Sequence, residues 1–286
     1  MATSEPAKKV VQSTETAAPE PTWQPKPEDR AKANQLRLFA IILWVLAIAL
    51  ECVVIFGLLF KQPDVPANAA TGTKAQYHFL GHEISQTTLF VLCIVFIVIC
   101  GVLAIVASQL WKKANRLDPA STKEPMRFFI QNQLGAIISV VAFLPLVILV
   151  LLSKNLQGAQ KGIVAAVAVV VLGATFAAGV TTNPPSQEQY ATETAFVIAH
   201  SQTLTDEVYW VKSGSTYHLC QQSTDLQHNS QDDQIYSGTV GQAHAAGMSR
   251  LAMRNECGFD NSNNQWTAWV PNAAATTAPQ PTDSPS

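Results

Sequence analysis

Residues Leu38–Phe60 read LFAIILWVLAIALECVVIFGLLF, an apolar run of 23 residues in which Glu51 is the single charged side chain. A bilayer core about 30 Å thick is crossed by roughly 20 helical residues, because each residue adds about 1.5 Å. Three more runs reach spanning length, and they are Thr88–Leu110, Leu134–Leu152 and Gly162–Val180. The sequence therefore predicts four transmembrane helices.

Composition indicates the same class of protein. Charged residues make up 13% of the chain, about half of the share typical of soluble domains. A buried helix of a soluble protein can explain one apolar run, but not four runs with polar and often basic flanks. The first run is also too long for the apolar core of a signal peptide, which has about 7–15 residues. The net charge of −2 argues against nucleic-acid binding driven by a large positive field.

Three segments lie before or after the group of four spans. Residues 1–37 are rich in Pro, Ala, Thr and Glu, and residues 271–286 are rich in Ala, Thr and Pro, so both are predicted to be disordered tails. Residues 186–270 are long enough for one small core. The predicted fold class is mainly α, a bundle of four transmembrane helices followed by a small α+β domain.

Local patterns predict the elements of the small domain. A helix is expected over Gln187–Ser201, and a shorter one, ending at a glycine, over Thr239–Gly247. Between them, Val208–Val211 and Thr216–Leu219 are β-type runs joined by a short polar turn, which predicts a hairpin. Tyr209 and His218 are expected on the strand faces away from the core. The predicted core consists of Val208, Trp210, Tyr217, Leu219, Leu226, Ile235, Val240 and Leu251.

Basic residues are distributed unevenly around the spans. Nine of them lie within 12 residues before the first span or between the second and third spans, namely Lys26, Arg30, Lys32, Arg37, Lys112, Lys113, Arg116, Lys123 and Arg127. The other two loops contain four, namely Lys61, Lys74, Lys154 and Lys161. The positive-inside rule therefore predicts a multi-pass cell-membrane protein with the N-terminus and residues 111–133 in the cytoplasm. Four spans place the C-terminal domain on that same side.

Glu51 is the one acidic residue within the predicted spans. A charged carboxylate at mid-span costs about 2.5–3.5 kcal/mol or more, so Glu51 is expected to be protonated or partnered and to face the bundle. One interpretation is proton or cation handling, as in a transporter. The other is a neutral acid that hydrogen-bonds to a neighbouring helix, with Ser108, Ser139 or Thr175 as partner.

The fourth span is rich in small residues. Three pairs stand four residues apart, namely Gly173/Ala177, Ala174/Ala178 and Thr175/Gly179. This spacing lets helix backbones approach closely, within one chain or between the copies of a homo-oligomer.

No stretch of the sequence assembles a catalytic centre or a metal site. His78 and His82 are four residues apart, as a zinc pair on a helix would be, but Gly81 lies between them and no third ligand is near. A solvated loop is expected there. Cys52, Cys93 and Cys100 lie in the spans, where a thiol behaves as a small apolar group.

Four motifs resemble those of a bacterial protein family. They are LWKKANRLDPA at 110–120, RFFIQNQLG at 127–135, NPPSQEQY at 183–190, and Tyr209-Trp210 through Tyr217-His218-Leu219. The family consists of uncharacterised four-span membrane proteins with a small C-terminal domain, and the resemblance runs from about Leu36 to about Arg254. It implies a membrane location and a cytoplasmic or peripheral domain, and it implies no activity.

The resemblance also implies a metal-binding knuckle in the small domain, and here the match is broken. The family's cysteines would fall near Ser223, Ala252 and Asn255, whereas the thiols of this chain are Cys220 and Cys257. Zinc needs about four N or S donors. Three are present as weak candidates, His218, Cys220 and Cys257, with His228 or His244 as further guesses.

A cross-link between Cys220 and Cys257 is the alternative to a metal site. Disulfides persist in oxidising compartments, so a cytoplasmic domain leads us to expect that this bond is absent. No metal and no cofactor are predicted. The interpretation that follows is a membrane-anchored binding or sensing module. The alternative is a transporter or channel component that uses Glu51, and an enzyme ranks third because no face of the predicted bundle gathers His, Asp or Glu.

Overall fold

The structure, a computed structural model, describes residues 22–66, 70–72, 75–156, 158–201, 203–228 and 230–252. Its long helices are α1 (Pro27–Cys52), which continues as a π-helical segment (Val53–Leu59), α2 (Gln86–Leu117), α3 (Pro125–Leu152) and α4 (Ala159–Gly179). Four helices, with the π-helical segment counted in the first, are long and apolar enough to cross a membrane. The predicted fold class, mainly α with four spans, is confirmed.

The helices begin earlier than the predicted spans because their first turns are polar. Pro27 and Pro125 occupy the first turns of α1 and α3, where the missing N–H of proline costs nothing. Residues 27–37 are therefore helical, and the prediction of a disordered tail through residue 37 is wrong for them. Ala33 is buried against Ala114 and Leu117 of α2, which explains why this polar turn is ordered. Residues 1–21 and 271–286 lie outside the described residues.

The bundle consists of two helical hairpins. Helix α1 packs along α2, α3 packs along α4, and α2 also contacts α4. At one end of the bundle α3 and α4 approach so closely that a Cβ atom on Gly179 would lie 2.4 Å from the backbone carbon of Gly135. Of the three predicted pairs, only Thr175/Gly179 is buried, whereas Gly173 and Ala177 face outward.

The outer surface of the bundle is apolar. Exposed side chains on α1 and α2 include Leu38, Phe39, Ile42, Val45, Val91, Val95 and Val102, and those on α3 and α4 include Val141, Ile148, Val169 and Val170. An apolar surface of this extent suits contact with lipid chains rather than with water.

At the end of the bundle away from the small domain, the π-helical segment is held by the α3–α4 connection. The hydroxyl of Ser153 donates to the carbonyl of Leu59 at 2.7 Å, and the amide of Asn155 donates to the carbonyl of Leu58 at 3.0 Å. These bonds satisfy carbonyls that the end of a helix leaves without partners. A hairpin of β1 (Gln76–Phe79) and β2 (His82–Ser85) lies on the same side, packed against α2.

The described part of the small domain contains three short helices and four short strands. They are α5 (Gln187–His200), β3 (Val208–Trp210), β4 (Thr216–Tyr217), α6 (Thr224–His228), β5 (Tyr236–Gly238), α7 (Val240–Ala246) and β6 (Arg250–Leu251). The two predicted helices are present, since α5 and α7 begin and end within one residue of expectation. Thr239 caps α7 through a capping box, and Gly247, with φ of 110°, ends it.

The predicted hairpin is only partly correct. Tyr209 and His218 exchange two backbone hydrogen bonds of 2.9 and 2.8 Å, but β3 forms its ladder with β5 and β4 pairs in parallel with β6. A short strand has two edges, and a local turn signal does not indicate which distant segment fills the second edge. Of the predicted core, Ile235 is only half-buried, and the other seven residues are buried.

His218 is buried, against the prediction that it lies on the outer strand face. The ladder of β4 ends at Tyr217, so strand alternation no longer applies one residue later. The Nδ1 atom of His218 lies 2.9 Å from the hydroxyl of Ser223.

Candidate functional site

The small domain sits on one end of the bundle, which we call the domain-side end. This end comprises the first three turns of α1, the first two turns of α3 and the C-terminal turns of α2 and α4. An ion pair and hydrogen bonds tie these turns together. The guanidinium of Arg37 in α1 donates to the carboxylate of Asp118 at 2.7 Å and to its carbonyl at 2.8 Å. The Trp111 indole and the Asn115 amide of α2 both donate to the carbonyl of Gln131 in α3, each at 2.7 Å.

Helix α4 is held at the same end by two further bonds. The ammonium of Lys112 donates to the carbonyl of Val180 at 2.6 Å. The amide of Gln133 donates to the carbonyl of Thr181 at 2.8 Å. These side chains satisfy carbonyls at and beyond the last turn of α4 and fix the point where the chain leaves the bundle.

The start of α5 is anchored to the α2–α3 loop through Glu188. Its carboxylate accepts hydrogen bonds from the hydroxyl of Ser121 and from the backbone N–H of Thr122 at 2.9 Å. Burial alone would raise the pKa of Glu188, but these hydrogen bonds outweigh it and lower the pKa to about 2. The carboxylate is therefore ionised at neutral pH and acts as a clamp between the domain and the bundle.

A buried polar cluster lies behind this clamp, centred on Glu193 of α5. The carboxylate of Glu193 accepts hydrogen bonds from the hydroxyl of Tyr217 at 2.7 Å, from the amide of Gln189 at 2.8 Å and from Nε2 of His244 in α7. Tyr190 stacks on the ring of His244 with centroids 4.4 Å apart. Burial, with the charge of Glu193, holds the pKa values of Tyr190 and Tyr217 well above their usual range, so both hydroxyls act as donors.

The cluster forms one wall of a cavity of about 640 Å³ between the small domain and the domain-side end. From the bundle, Arg116 of α2 and Phe128 of α3 line it. Its remaining lining residues are Asn183, Pro184, Pro185, Gln189, His244, Gly247, Met248, Ser249 and Arg250. Its volume falls within the range of about 300–1,000 Å³ common for small-molecule sites.

Arg116 is positioned by both bodies that form the cavity. Its backbone carbonyl accepts a hydrogen bond from the hydroxyl of Tyr190 at 2.9 Å, and its Nη1 atom would lie 3.9 Å from a Cβ atom on Gly247. The left-handed conformation of Gly247 turns the chain from α7 into the segment that leads to Arg250. The two arginines therefore approach the cavity from opposite sides, one from the bundle and one from the domain.

Glu51 is buried in the bundle, as predicted, with 5% of its surface exposed. The predicted hydrogen-bond partners are wrong. Ser108, Ser139 and Thr175 each donate to a carbonyl in the preceding turn of their own helix. The Oε1 atom of Glu51 has no hydrogen-bond partner among the described residues.

Of the weak metal candidates, His218 and Cys220 lie within the described residues. In the described parts of the chain, no group of three or more His, Cys, Asp or Glu side chains could hold a metal ion. Cys220 is buried and disulfide-bonded, which corrects the expectation that its thiol is free, whereas Cys52, Cys93 and Cys100 are free thiols. The expected partner, Cys257, lies outside the described residues.

His78 and His82 lie on the β1–β2 hairpin rather than on a helix. Leu80 and Gly81 form its turn, both with positive φ, so the i, i+4 relation that a zinc pair requires does not arise. Nδ1 of His78 lies 3.0 Å from the carboxylate of Asp64. Hydrogen bonds lower the pKa of that carboxyl, with the one from the His78 side chain the largest influence.

Fold and site together define a four-span membrane protein whose small α+β domain borders an open cavity at one end of the bundle. Comparison with models of protein families, with curated proteins and with solved structures found no match. Membership of the bacterial family that the motifs resemble therefore stays a prediction.

The sequence motifs nevertheless coincide with this junction. Arg116 and Asp118 belong to the first motif, Phe128 and Gln131 to the second, and Pro184, Glu188 and Tyr190 to the third. Sequence reasoning missed Glu193 as a functional residue, although Tyr190, Glu193 and Val197 stand at helical spacing on one buried face of α5. An acid on such a face is a recognisable signal.

Proposed function

We propose that this protein is a membrane-anchored binding module, and that its ligand occupies the cavity between the small domain and the domain-side end of the bundle. The observation that carries the proposal is the junction itself. Its cavity has a wall from each body and is lined by polar groups and apolar side chains together, a composition typical of ligand sites. A ligand there contacts α2, α3 and the small domain at once. Ligand binding can therefore couple the position of the small domain to that of the helix bundle.

The lining includes no triad of nucleophile, base and orienting group among the described residues. Ser249, the one hydroxyl side chain among the described lining residues, directs its hydroxyl hydrogen bond to the carbonyl of Ser215 at 3.0 Å. Binding rather than catalysis is therefore the activity that we propose.

We place the domain-side end in the cytoplasm of a cell-membrane protein. Nine basic residues flank this end against four at the other, and the positive-inside rule follows that bias. The disulfide of Cys220 favours an oxidising compartment and supports the opposite orientation. The basic flanks decide the proposal because they act on the insertion of the spans, whereas a disulfide reports only the environment of the finished domain.

Transport through the bundle is the second candidate function, and the unpartnered Oε1 atom of Glu51 favours it. Polar groups within membranes commonly mark ion pathways, and a π-helical segment begins two residues later, a feature frequent at functional sites. Full-length protein in liposomes, with a pH-sensitive dye inside, tests it. A proton flux that is lost in Glu51→Gln supports transport, and the absence of flux in the unaltered protein contradicts it.

The outward face of α4 is the surface that we propose for a homo-oligomer. Gly173 is exposed with nothing within 4 Å of where its Cβ would lie, and Ala177 is exposed one turn later. Small residues four apart on a lipid-facing helix let a second helix approach closely.

The binding proposal is tested by filling the cavity. Ser249→Trp places an indole within the lining, and Ser237→Trp, at an exposed position of β5 outside the lining, is the matched control. Full-length protein is purified in mild detergent, and its co-purifying small molecules are identified by native mass spectrometry. We expect a bound mass that disappears in Ser249→Trp and remains in Ser237→Trp. Identical spectra for all three proteins would contradict the proposal.

A further inference from the structure

We infer that the ligand of this cavity is an anion that carries a phosphate group, bound by Arg116 and Arg250; the inference rests on the proposed binding function. The charge of the lining favours an anion. Two arginines line the cavity, and none of the lining residues that the structure describes is a carboxylate. The nearest acid of the buried cluster, Glu193, already accepts hydrogen bonds from Tyr217, Gln189 and His244.

Neither guanidinium is engaged by another described residue. Within the ranges that the structure describes, neither Arg116 nor Arg250 makes a side-chain hydrogen bond or an ion pair. Two other arginines on this side of the bundle are paired, Arg37 with Asp118 at 2.7 Å and Arg127 with Glu124 at 3.1 Å. Arg116 and Arg250 therefore keep their donors available to a ligand.

The chemistry of the donors favours a phosphate. A guanidinium presents its N–H groups in a planar fork that matches two oxygens of a phosphate. The amides of Asn183 and Gln189, which also line the cavity, add neutral donors. Phe128 and Met248 supply an apolar wall for the non-ionic part of the ligand.

The position of the cavity gives two sources of the same group. It lies at the ends of membrane-spanning helices, the depth at which basic pockets bind lipid head groups. A soluble phosphate compound presents the same oxygens from the aqueous side. The shared chemistry is the phosphate, and the experiment separates the sources.

The experiment uses the full chain in nanodiscs of two compositions. Retention of phosphatidylglycerol is measured by native mass spectrometry in discs that contain it, and the affinity for glycerol phosphate and for inorganic phosphate is measured in discs of phosphatidylcholine alone. Arg116→Gln and Arg250→Gln are compared with Arg127→Gln, an arginine of the same side that does not line the cavity. Each variant removes charge while keeping a polar side chain, and two independent positions are tested in case one variant does not fold.

A lipid source predicts retained phosphatidylglycerol that is lost in both cavity variants and kept in Arg127→Gln. A soluble source predicts that glycerol phosphate or inorganic phosphate binds and that each cavity variant weakens it about tenfold or more, the loss expected for one charge-assisted contact. The inference is overturned if Arg116→Gln and Arg250→Gln retain phosphatidylglycerol and bind both soluble anions as well as Arg127→Gln does. If a neutral molecule is then still displaced by Ser249→Trp, the binding function stands and only the phosphate assignment fails; if nothing is displaced, both fail.

Discussion

The hydroxyl of Tyr190 donates a hydrogen bond of 2.9 Å to the backbone carbonyl of Arg116, which joins the first helix of the small domain to the last turn of α2. Tyr190 is fully buried, packed between the ring of His244 and the edge of Trp23. The bond therefore holds Arg116, which we propose as a ligand-binding residue, at the point where the small domain meets the bundle.

Tyr190→Phe is expected to lower the free energy of unfolding by about 1–2 kcal/mol, because it leaves the Arg116 carbonyl without its partner in a buried place. Tyr236→Phe is the control, since that hydroxyl bonds to Asp232 on the exposed surface. Thermal unfolding of the full chain in detergent measures both. Equal midpoints for the two variants would show that the Tyr190 hydroxyl contributes nothing to the junction.

Acid should loosen the clamp at Glu188. The folded pKa is about 2, below the ordinary value near 4.3 of an unfolded chain, so its stabilisation is complete above that ordinary value and is lost as the pH falls towards 2. Stability measured against pH should therefore fall less steeply over this window in Glu188→Gln than in the unaltered protein. Parallel curves would mean that Glu188 does not titrate with folding.

The contact between α3 and α4 predicts opposite outcomes for two glycines of one helix. Gly179→Ala would force a Cβ atom to 2.4 Å from the backbone of Gly135 and Ala136, so we expect a loss of about 1–3 kcal/mol, typical of overpacking. Gly173→Ala meets open space and should not destabilise the chain. Unfolding in mild detergent compares the two. A Gly179→Ala variant as stable as Gly173→Ala would contradict the close approach.

Orientation is tested with reporter fusions after Phe60 and after Val180, which should report opposite sides of the membrane. The positive-inside bias predicts that the Phe60 fusion is outside and the Val180 fusion is inside. The reverse result would place Cys220 in an oxidising compartment, where its disulfide is expected to persist. Two fusions on one side would contradict the four-span topology itself.

The spans were predictable because each depends on one continuous apolar run, and the environment of the run hardly matters. The burial of Glu51 was also predictable, because a carboxyl group within a span is costly when it faces lipid. Its partners were not, because Ser108, Ser139 and Thr175 bond within their own helices and no sequence pattern shows this.

The junction could not be predicted from the sequence, for a different reason. In the sequence, Arg116 is one of nine basic residues that flank the spans, and Arg250 is a separate charge 134 positions later. That both line one cavity depends on how the small domain docks on the bundle. The motifs marked the right segments, but a motif does not show which of its residues face one another.

The docking of the small domain on the bundle is tested most directly by photo-cross-linking at Phe128 in native membranes. A photoreactive phenylalanine analogue at this position lies in the cavity wall, whereas the same analogue at Phe129 is exposed on the outside of α3. Proteolysis and mass spectrometry identify the linked peptide. Our account predicts that the probe at Phe128 links to Gly247–Arg250 and that the probe at Phe129 does not. Lipid adducts at both positions, with no link to that segment, would contradict the cavity on which the proposed function depends.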